Sequence, residues 1–464
     1  MSVFKAYDIR GIAGSEIDSA FSKRLGQSIV DFTGATSIAV GRDIRTSGEE
    51  LHNAMMDGIR SSGCEVVNLG VVPTGVVYRS TVDMEIDVAV VITASHNPPE
   101  YNGFKIVHSG LPLAGRDLQD LKAVFNSISE EKRSLDGALI DRTDYVNSVI
   151  EEIVKDIGPI GRRIVVSVDG ANAVPGPYIL DLFEKLGVET IAINCEWNAE
   201  FPAHPADPTR PANMMELSAK VVSSEAEFGI GVDGDGDRIG VVDENGRFIH
   251  PDRLIGLFAR DILLNGVSGK HSEESRTILY DVKCSMGVEE AIVTSGGIGR
   301  MVRTGHSFMK MELATSPSIR FAGEMSGHLF FNDRWNGFDC SLYNGARLIE
   351  LVARLSDPKN GSIGFSDLLS SVPEYPSTGE SKISFEGGRD EIMKSVRSSF
   401  SDLQFSEVDG VRVEYPDGWF LCRPSNTEPV LIMRAEGRTE AALESILSDV
   451  HARIGGVINL RDLR

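Results

Sequence analysis

Three short runs of apolar, β-branched residues each end in polar side chains: Ser37-Ile38-Ala39-Val40-Gly41-Arg42-Asp43, Arg163-Ile164-Val165-Val166-Ser167-Val168-Asp169 and Thr277-Ile278-Leu279-Tyr280-Asp281-Val282-Lys283. Runs of this kind predict buried strands. Between them apolar residues recur at helical spacing, over Leu51 to Ile59, Tyr178 to Leu186 and Leu254 to Leu264. Alternating strands and helices require mixed or parallel sheets with helices on their faces, and the polar strand ends should converge on one cleft. The 464 residues exceed one ordinary core, and domains of about 100 to 200 residues predict three or four. Beyond Pro373-Glu374-Tyr375-Pro376-Ser377-Thr378-Gly379 the pattern changes. An alternating strand Lys382 to Phe385, then Trp419 to Cys422 and Pro429 to Met433 around a polar loop, predict a smaller α+β domain. The expected division is 1–146, 147–248 and 249–370 for three similar α/β domains and 371–464 for the fourth.

Composition narrows the function classes. Asp plus Glu outnumber Lys plus Arg by 68 to 46, a formal charge of -22, which argues against a nucleic-acid partner. An anionic substrate would need a local cluster of cations to reverse that field. Five cysteines (Cys64, Cys195, Cys284, Cys340, Cys422) form no C-x-x-C pair, so neither a disulfide framework nor a zinc site is expected, and a reducing cytoplasm fits. No run of about 18 apolar residues and no apolar N-terminal segment points to a membrane.

The buried run Asp87 to Ile92 opens into Thr93-Ala94-Ser95-His96-Asn97-Pro98-Pro99-Glu100-Tyr101-Asn102-Gly103-Phe104-Lys105, whose prolines, asparagines and glycine predict a rigid irregular loop. A hydrolase serine is disfavoured, because G-x-S-x-G is missing and adjacent His96 is badly placed as a triad base. Ser95 with Lys105 suits phosphoryl transfer instead, which needs a carrier oxygen beside positive charge.

A second strand, Phe228 to Val232, ends in Asp233-Gly234-Asp235-Gly236-Asp237-Arg238. Three carboxylates so close repel one another, and the intervening glycines let alternate residues face one point, as a hard divalent cation with oxygen ligands requires. It is not an EF-hand, whose sixth position must be glycine and is Arg238 here, and no helix follows for the G-x-G-x-x-G of Gly229, Gly231 and Gly234 to bind a dinucleotide. Mg²⁺ needs six ligands, so a further oxygen is expected from Ser95 or a phosphoryl group on it.

After Arg303-Thr304-Gly305-His306-Ser307-Phe308-Met309-Lys310 comes Phe321-Ala322-Gly323-Glu324-Met325-Ser326-Gly327-His328. Its carboxylate and hydroxyl suit sugar hydroxyls, and its imidazole suits proton transfer near neutral pH. Last, Arg423-Pro424-Ser425-Asn426-Thr427-Glu428-Pro429 gathers a guanidinium, hydroxyls and an amide in one turn, a phosphate cradle.

These loops in this order, T-A-S-H-N-P, D-G-D-G-D-R, G-E-M-S-G-H and R-x-S-N-T, resemble the α-D-phosphohexomutase family over the whole chain. Tyr7-Asp8-Ile9-Arg10-Gly11 and the segment from Arg334-Trp335 to Asp339 agree, and Met325 with the Y-D-I-R-G start resembles the phosphomannomutase/phosphoglucomutase subgroup more than phosphoglucosamine mutases. The resemblance implies four domains around a central cleft and transfer of phosphate between O1 and O6 of a hexose, through phosphoserine and a hexose 1,6-bisphosphate. It implies that Ser95 carries the phosphate, Asp233, Asp235 and Asp237 hold Mg²⁺, and Glu324 and Ser326 grip sugar hydroxyls. Arg423, Ser425, Asn426 and Thr427 would hold the non-reacting phosphate. Arg10, Lys105, Arg238, Lys283, His306 and His328 match positions lining the reaction centre, with Tyr7 beside them, and Lys105 and His328 are the candidates for the proton acceptor. Hexose phosphates are the expected partners of a monomer or weak dimer. A metal-dependent sugar phosphatase and a non-catalytic sugar-phosphate sensor are the alternatives of other classes.

Overall fold

The computed structural model describes residues 3–128, 136–224, 226–265, 274–356, 363–385, 388–425, 430–460 and 463. Among them lie four sheets of seven, five, four and five strands, and the chain divides into two compact units. The first comprises Met1–Pro251, His306–Ala322 and Ser326–Ser370; the second comprises Asp252–Gly305, Gly323–Met325 and Ser371–Arg464.

In the first unit the strands β1 (Ile9–Ile12), β2 (Ser37–Arg42), β3 (Glu65–Val71), β4 (Val88–Ile92), β5 (Tyr101–His108), β6 (Leu111–Pro112) and β7 (Leu139–Asp141) form one sheet in the order β1-β5-β4-β2-β3-β7, with β6 on β5. Strands β4, β2, β3 and β7 run parallel, while β5 is antiparallel to both β4 and β1. Every residue of β4 is buried, as a central strand with both faces covered requires. Helices Ser19–Thr33 and Gly48–Ser61 contribute Leu25, Ile29, Met55 and Ile59 to the cluster that holds Val40 and Val90. Each such side chain contributes about 1.5–3 kcal/mol by leaving water. Asp18 starts the first of these helices by accepting the Phe21 N–H at 2.7 Å, and Gly34 ends it in the left-handed conformation.

The second sheet repeats the plan. Strands β8 (Val165–Asp169), β9 (Glu189–Ile193), β10 (Phe228–Val232), β11 (Ile239–Asp243) and β12 (Phe248–Ile249) lie in the order β12-β11-β10-β8-β9. Here β8 is parallel to β9 and β10, and β11 is antiparallel to β10 and β12.

In the second unit β13 (Thr277–Asp281) and β14 (Ile298–Val302) pair in parallel. Further along the chain, β15 (Phe321–Gly323) and β16 (Leu329–Phe331) flank the loop from Glu324 to His328. The last sheet, of β17 (Ser381–Ser384), β18 (Phe405–Ser406), β19 (Val411–Tyr415), β20 (Gly418–Pro424) and β21 (Val430–Gly437), is wholly antiparallel in the order β17-β21-β20-β19-β18. Val396 and Phe400 on one side of the sequence and Leu443, Val450 and Ile454 on the other complete its core, the α+β arrangement expected.

Two expectations change. The serine loop ends at Glu100 rather than Lys105, because Tyr101–His108 returns as a strand. Gly103 permits this, since a Cβ there would stand 2.2 Å from the Ile9 carbonyl oxygen. Arg423 and Pro424 likewise belong to β20, paired with Ile432 and Leu431, so the fourth loop begins at Ser425. Both loops after β4 and β10 connect antiparallel neighbours.

Candidate active site

The turn after β10 gathers charge that the interior tolerates only when matched. Asp233, Asp235 and Asp237 are all fully buried, and one oxygen from each lies within 4.8 Å of the others. Gly234 allows this packing, because a Cβ there would stand 2.1 Å from the Ser95 carbonyl oxygen. Ser95 Oγ donates to Asp233 Oδ2 at 2.8 Å. Asp233 Oδ1 accepts the N–H groups of Asp237 and Arg238, which curls the turn on itself.

Lys105, carried back by β5, places Nζ 2.6 Å from both Asp235 Oδ2 and Asp237 Oδ2. Burial disfavours its charge, but Asp235 and Asp237 outweigh burial and raise its pKa well above the ordinary lysine value. Burial also pushes the three carboxyls up; for Asp235 and Asp237 the Lys105 ammonium wins and both stand below the usual range. For Asp233, burial, then Asp237 and Asp235, outweigh Arg238 and Lys105 and push it well above that range. Three buried carboxylates are more negative charge than the neighbouring cations balance. Asp235 Oδ1 and Asp237 Oδ1 are buried without a hydrogen-bond partner among the described residues. Three buried carboxylates converging in this way, with spare acceptor capacity, fit a hard divalent cation.

Around this turn the first unit assembles the other expected groups. Arg238 Nε faces His328 Nε2 at 3.1 Å. His328 and His306 stack with ring centroids 5.1 Å apart, and Tyr7 meets His306 edge to face at 5.3 Å. Arg10 Nη1 donates to Asn97 Oδ1 at 2.6 Å, tying the chain start to the serine loop, and Nη2 pairs with Asp8. Burial, then Lys310, hold the His306 pKa well below the usual histidine value, so it is a neutral acceptor for the Lys310 ammonium 3.1 Å away. His96 requires a correction. Its Nδ1 lies 3.1 Å from Ser95 Oγ, although adjacency in sequence suggested poor placement. The contact arises at a left-handed backbone turn, with φ 51° at Ser95.

The second unit holds a separate polar chain. Lys283 Nζ pairs with Glu380 at 2.7 Å and lies 3.9 Å from Asp281. Thr304 donates its hydroxyl to Asp281 Oδ2 and its N–H to Asp409 Oδ2, both at 3.0 Å. Asp409 in turn accepts Arg423 Nε at 2.8 Å, and Arg423 Nη2 has no hydrogen-bond partner among the described residues. Glu324 accepts the Gly305 N–H at 2.5 Å, and the Met325 N–H reaches Asp281 at 3.2 Å. Ser326, in the first unit, is half-buried. Ser425 closes on Val430 through its N–H. Asn426 and Thr427 lie outside the described residues.

Several neighbours of these groups escaped the sequence reading. Thr74 donates its hydroxyl to Asp235 Oδ2 at 2.6 Å. Asp339, fully buried, takes Lys310 Nζ at 2.6 Å and lies 2.9 Å from His328 Nδ1. Asp281 was visible only as a strand end, and no spacing rule links any of the three to its partners.

The sequence patterns of phosphoglucomutase/phosphomannomutase alpha/beta/alpha domains I, II and III and of the C-terminal domain match residues 1–132, 143–246, 250–374 and 385–452 in that order. The phosphomannomutase/phosphoglucomutase of Pseudomonas syringae pv. tomato is 37% identical over 100% of this chain and 97% of its own length. The phosphoglucomutase of Neisseria gonorrhoeae is 37% identical over 96% of this chain and 95% of its own. A crystal structure of a phosphoglucomutase/phosphomannomutase family protein from Burkholderia thailandensis, also 37% identical, superposes with a TM-score of 0.88 over 98% of this chain and 97% of that one. With all four domains matched in order and relatives aligned end to end, the chain belongs to the phosphoglucomutase/phosphomannomutase family.

Proposed function

We propose that the chain interconverts hexose 1-phosphates and hexose 6-phosphates, with mannose and glucose phosphates as substrates, through a phosphoserine at Ser95 and a hexose 1,6-bisphosphate. The observation that carries this reading is the contact of Ser95 Oγ with Asp233 beside the Lys105 ammonium. A carrier oxygen stands where positive charge and carboxylates meet.

Phosphoryl transfer depends on positioning and charge more than on covalent chemistry. In the proposed step the Ser95 Oγ–P bond breaks, a P–O bond forms to the sugar hydroxyl, and the hydroxyl proton passes to His328, while Ser95 Oγ leaves with the bonding pair and takes a proton from solvent to become the hydroxyl that donates to Asp233. Lys105 and Arg238 supply fixed positive charge to the phosphoryl oxygens. Lys105 is held as a cation by two carboxylates, which favours His328 as the proton acceptor. Asp233, Asp235 and Asp237 would hold Mg²⁺, which when bound neutralises charge on the Ser95 oxygen and the phosphoryl group. Return of the other phosphate to Ser95 follows the same step in reverse. Arg10 fixes the serine loop through Asn97; Tyr7 and His306 line the same centre. Glu324 and Ser326 take ring hydroxyls, while Lys283, Arg423, Ser425, Asn426 and Thr427 take the phosphate that is not reacting.

The test is a coupled assay with mannose 1-phosphate and glucose 1-phosphate offered separately, with Mg²⁺ and a trace of hexose 1,6-bisphosphate. Formation of the 6-phosphates is expected. Inorganic phosphate released as fast as any 6-phosphate appears would make the protein a phosphatase, and binding without turnover would make it a sensor.

A further inference from the structure

Both peptide groups of Ser95 are tied to one buried ion pair just beyond β2. Arg45 and Asp43 have side chains 0% exposed, with Nε 3.1 Å from Oδ2. Every N–H of the guanidinium is engaged. Beyond Asp43, Nη1 donates to the carbonyls of Pro98 at 2.6 Å and Tyr101 at 3.0 Å, and Nη2 to those of Ser95 at 2.7 Å and Asn97 at 2.6 Å. Asp43 also accepts the Thr93 hydroxyl at 2.7 Å, and that hydroxyl accepts the Ser95 N–H at 2.8 Å. The Ser95 carbonyl therefore hangs on Arg45, and its N–H hangs on Asp43 through Thr93. The guanidinium carbon also lies over the Phe201 ring, 5.3 Å from its centroid.

This effort holds an unfavourable backbone. Ser95 has φ 51°, a region that side chains other than glycine avoid because Cβ crowds the following carbonyl. Nothing in Ser95 itself favours that conformation, so the surroundings must impose it. The carbonyls of the loop are also partial negative charges, unwelcome beside a phosphoryl group, and Arg45 collects four of them on itself. A lysine would bring the same charge from a single point, without the planar fork that reaches four acceptors at once.

We propose that Arg45 is a positioning residue for phosphoryl transfer: with Asp43 and Thr93 it clamps the Ser95 peptide in its left-handed turn so that Oγ stays aimed at Asp233. The inference rests on the phosphoserine reading above. It separates Arg45 from residues that touch substrate, since the guanidinium acts only through the loop. Displacement of a reacting atom by about 1 Å costs on the order of 100-fold in rate. Arg45→Lys should therefore lower kcat about 100-fold in both directions of the reaction, with KM for the 1-phosphate and 6-phosphate near wild type.

The test compares wild type, Arg45→Lys and Thr93→Val, the last removing only the hydroxyl between Asp43 and the Ser95 N–H. Steady-state kcat and KM are measured with each substrate. The rate at which dephosphorylated enzyme takes phosphate from hexose 1,6-bisphosphate is followed by intact mass in a quench experiment. Amide exchange is read across the chain. The expected result is a fall in kcat and in the phosphate-uptake rate by the same factor, unchanged KM, and faster exchange confined to the loop from Ser95 to Tyr101. A merely structural role predicts a lower melting temperature with kcat intact in the folded fraction, and that result overturns the proposal. If Arg45→Lys does not fold, Thr93→Val decides: kcat and uptake at wild-type values overturn it, and their loss at constant KM supports it. A wild-type enzyme that turns over hexose phosphates without ever taking phosphate onto Ser95 would instead remove the phosphoserine reading, and the proposal with it.

Discussion

His328 Nδ1 lies 2.9 Å from Asp339 Oδ2, while Lys310 Nζ lies 2.6 Å from the other oxygen of the same buried carboxylate. The Nδ1 contact falls short of a well-aligned hydrogen bond among the described residues. It nonetheless favours the proton on Nδ1, which leaves Nε2 as the accepting nitrogen, the one that faces Arg238. An aspartate behind a histidine in this way orients a proton acceptor without touching substrate.

Asp339→Asn should therefore lower kcat by about 100-fold or more with little change in KM, because general acid–base catalysis contributes roughly 10²- to 10⁴-fold. Steady-state kinetics with each hexose phosphate reads this directly. A variant with kcat within about twofold of wild type would show that His328 does not depend on Asp339.

Ser95→Ala should abolish turnover by several powers of ten while the fold stays intact, since only the carrier oxygen is lost. Intact-mass spectrometry of protein incubated with hexose 1,6-bisphosphate should find one added phosphate on wild type and none on the variant. Near-normal turnover in Ser95→Ala would sink the phosphoserine mechanism.

Removal of divalent metal should stop turnover and lower the melting temperature in the presence of buffer alone, and Mg²⁺ should restore both. The stabilisation would arise because a cation held by Asp233, Asp235 and Asp237 neutralises them, and it would grow with metal concentration as ligand linkage requires. At about 100 times the dissociation constant it amounts to about 2.7 kcal/mol. Asp235→Asn should shrink the Mg²⁺-dependent shift; an equal shift in both proteins would place the cation elsewhere.

Arg423→Ala should raise KM for the 1-phosphate and the 6-phosphate alike, because whichever end is not reacting needs the same anchor. Free hexose 1,6-bisphosphate should also accumulate during turnover, as a doubly anionic end group loses its guanidinium. A KM effect in one direction only, with no extra bisphosphate, would contradict a shared anchor.

A pH effect on stability is expected away from the metal cluster. His204 Nε2 sits 2.9 Å from Asp169 Oδ2 at the end of β8. That hydrogen bond outweighs burial and raises the His204 pKa above its ordinary value of 6.5. A raised histidine stabilises fully below its unfolded-state pKa and loses the contribution as pH climbs through the folded-state value. His204→Gln should thus cost roughly 1 kcal/mol in acid, discounted for partial exposure, and progressively less at alkaline pH. Melting curves of both proteins across that range check it, and a pH-independent difference would mean that the pair carries no charge coupling.

The chain's local chemistry announced much of this. Asp233, Asp235 and Asp237 are legible because alternate residues with glycines between them meet at one point whatever the rest of the fold does. The strand runs are legible because a buried strand must be apolar, and the α+β tail because its pattern breaks. The sequence extends the serine loop to Lys105, and the structure ends it at Glu100 for a tertiary reason: asparagine and glycine there look like a turn, but pairing of Asn102 and Gly103 with β1 supplies ladder bonds that override local preference.

Sequence alone determined the ordered set of loops and the functional groups each carries, since that information lies within a few adjacent residues. Only the tertiary structure decided which groups meet them: Lys105 with Asp235 and Asp237, His328 with Asp339, Arg45 with the carbonyls around Ser95. These partners come from separate strands, helices and loops. Their identity is fixed by how the elements pack, and no periodicity or motif records a contact between residues that are distant along the chain.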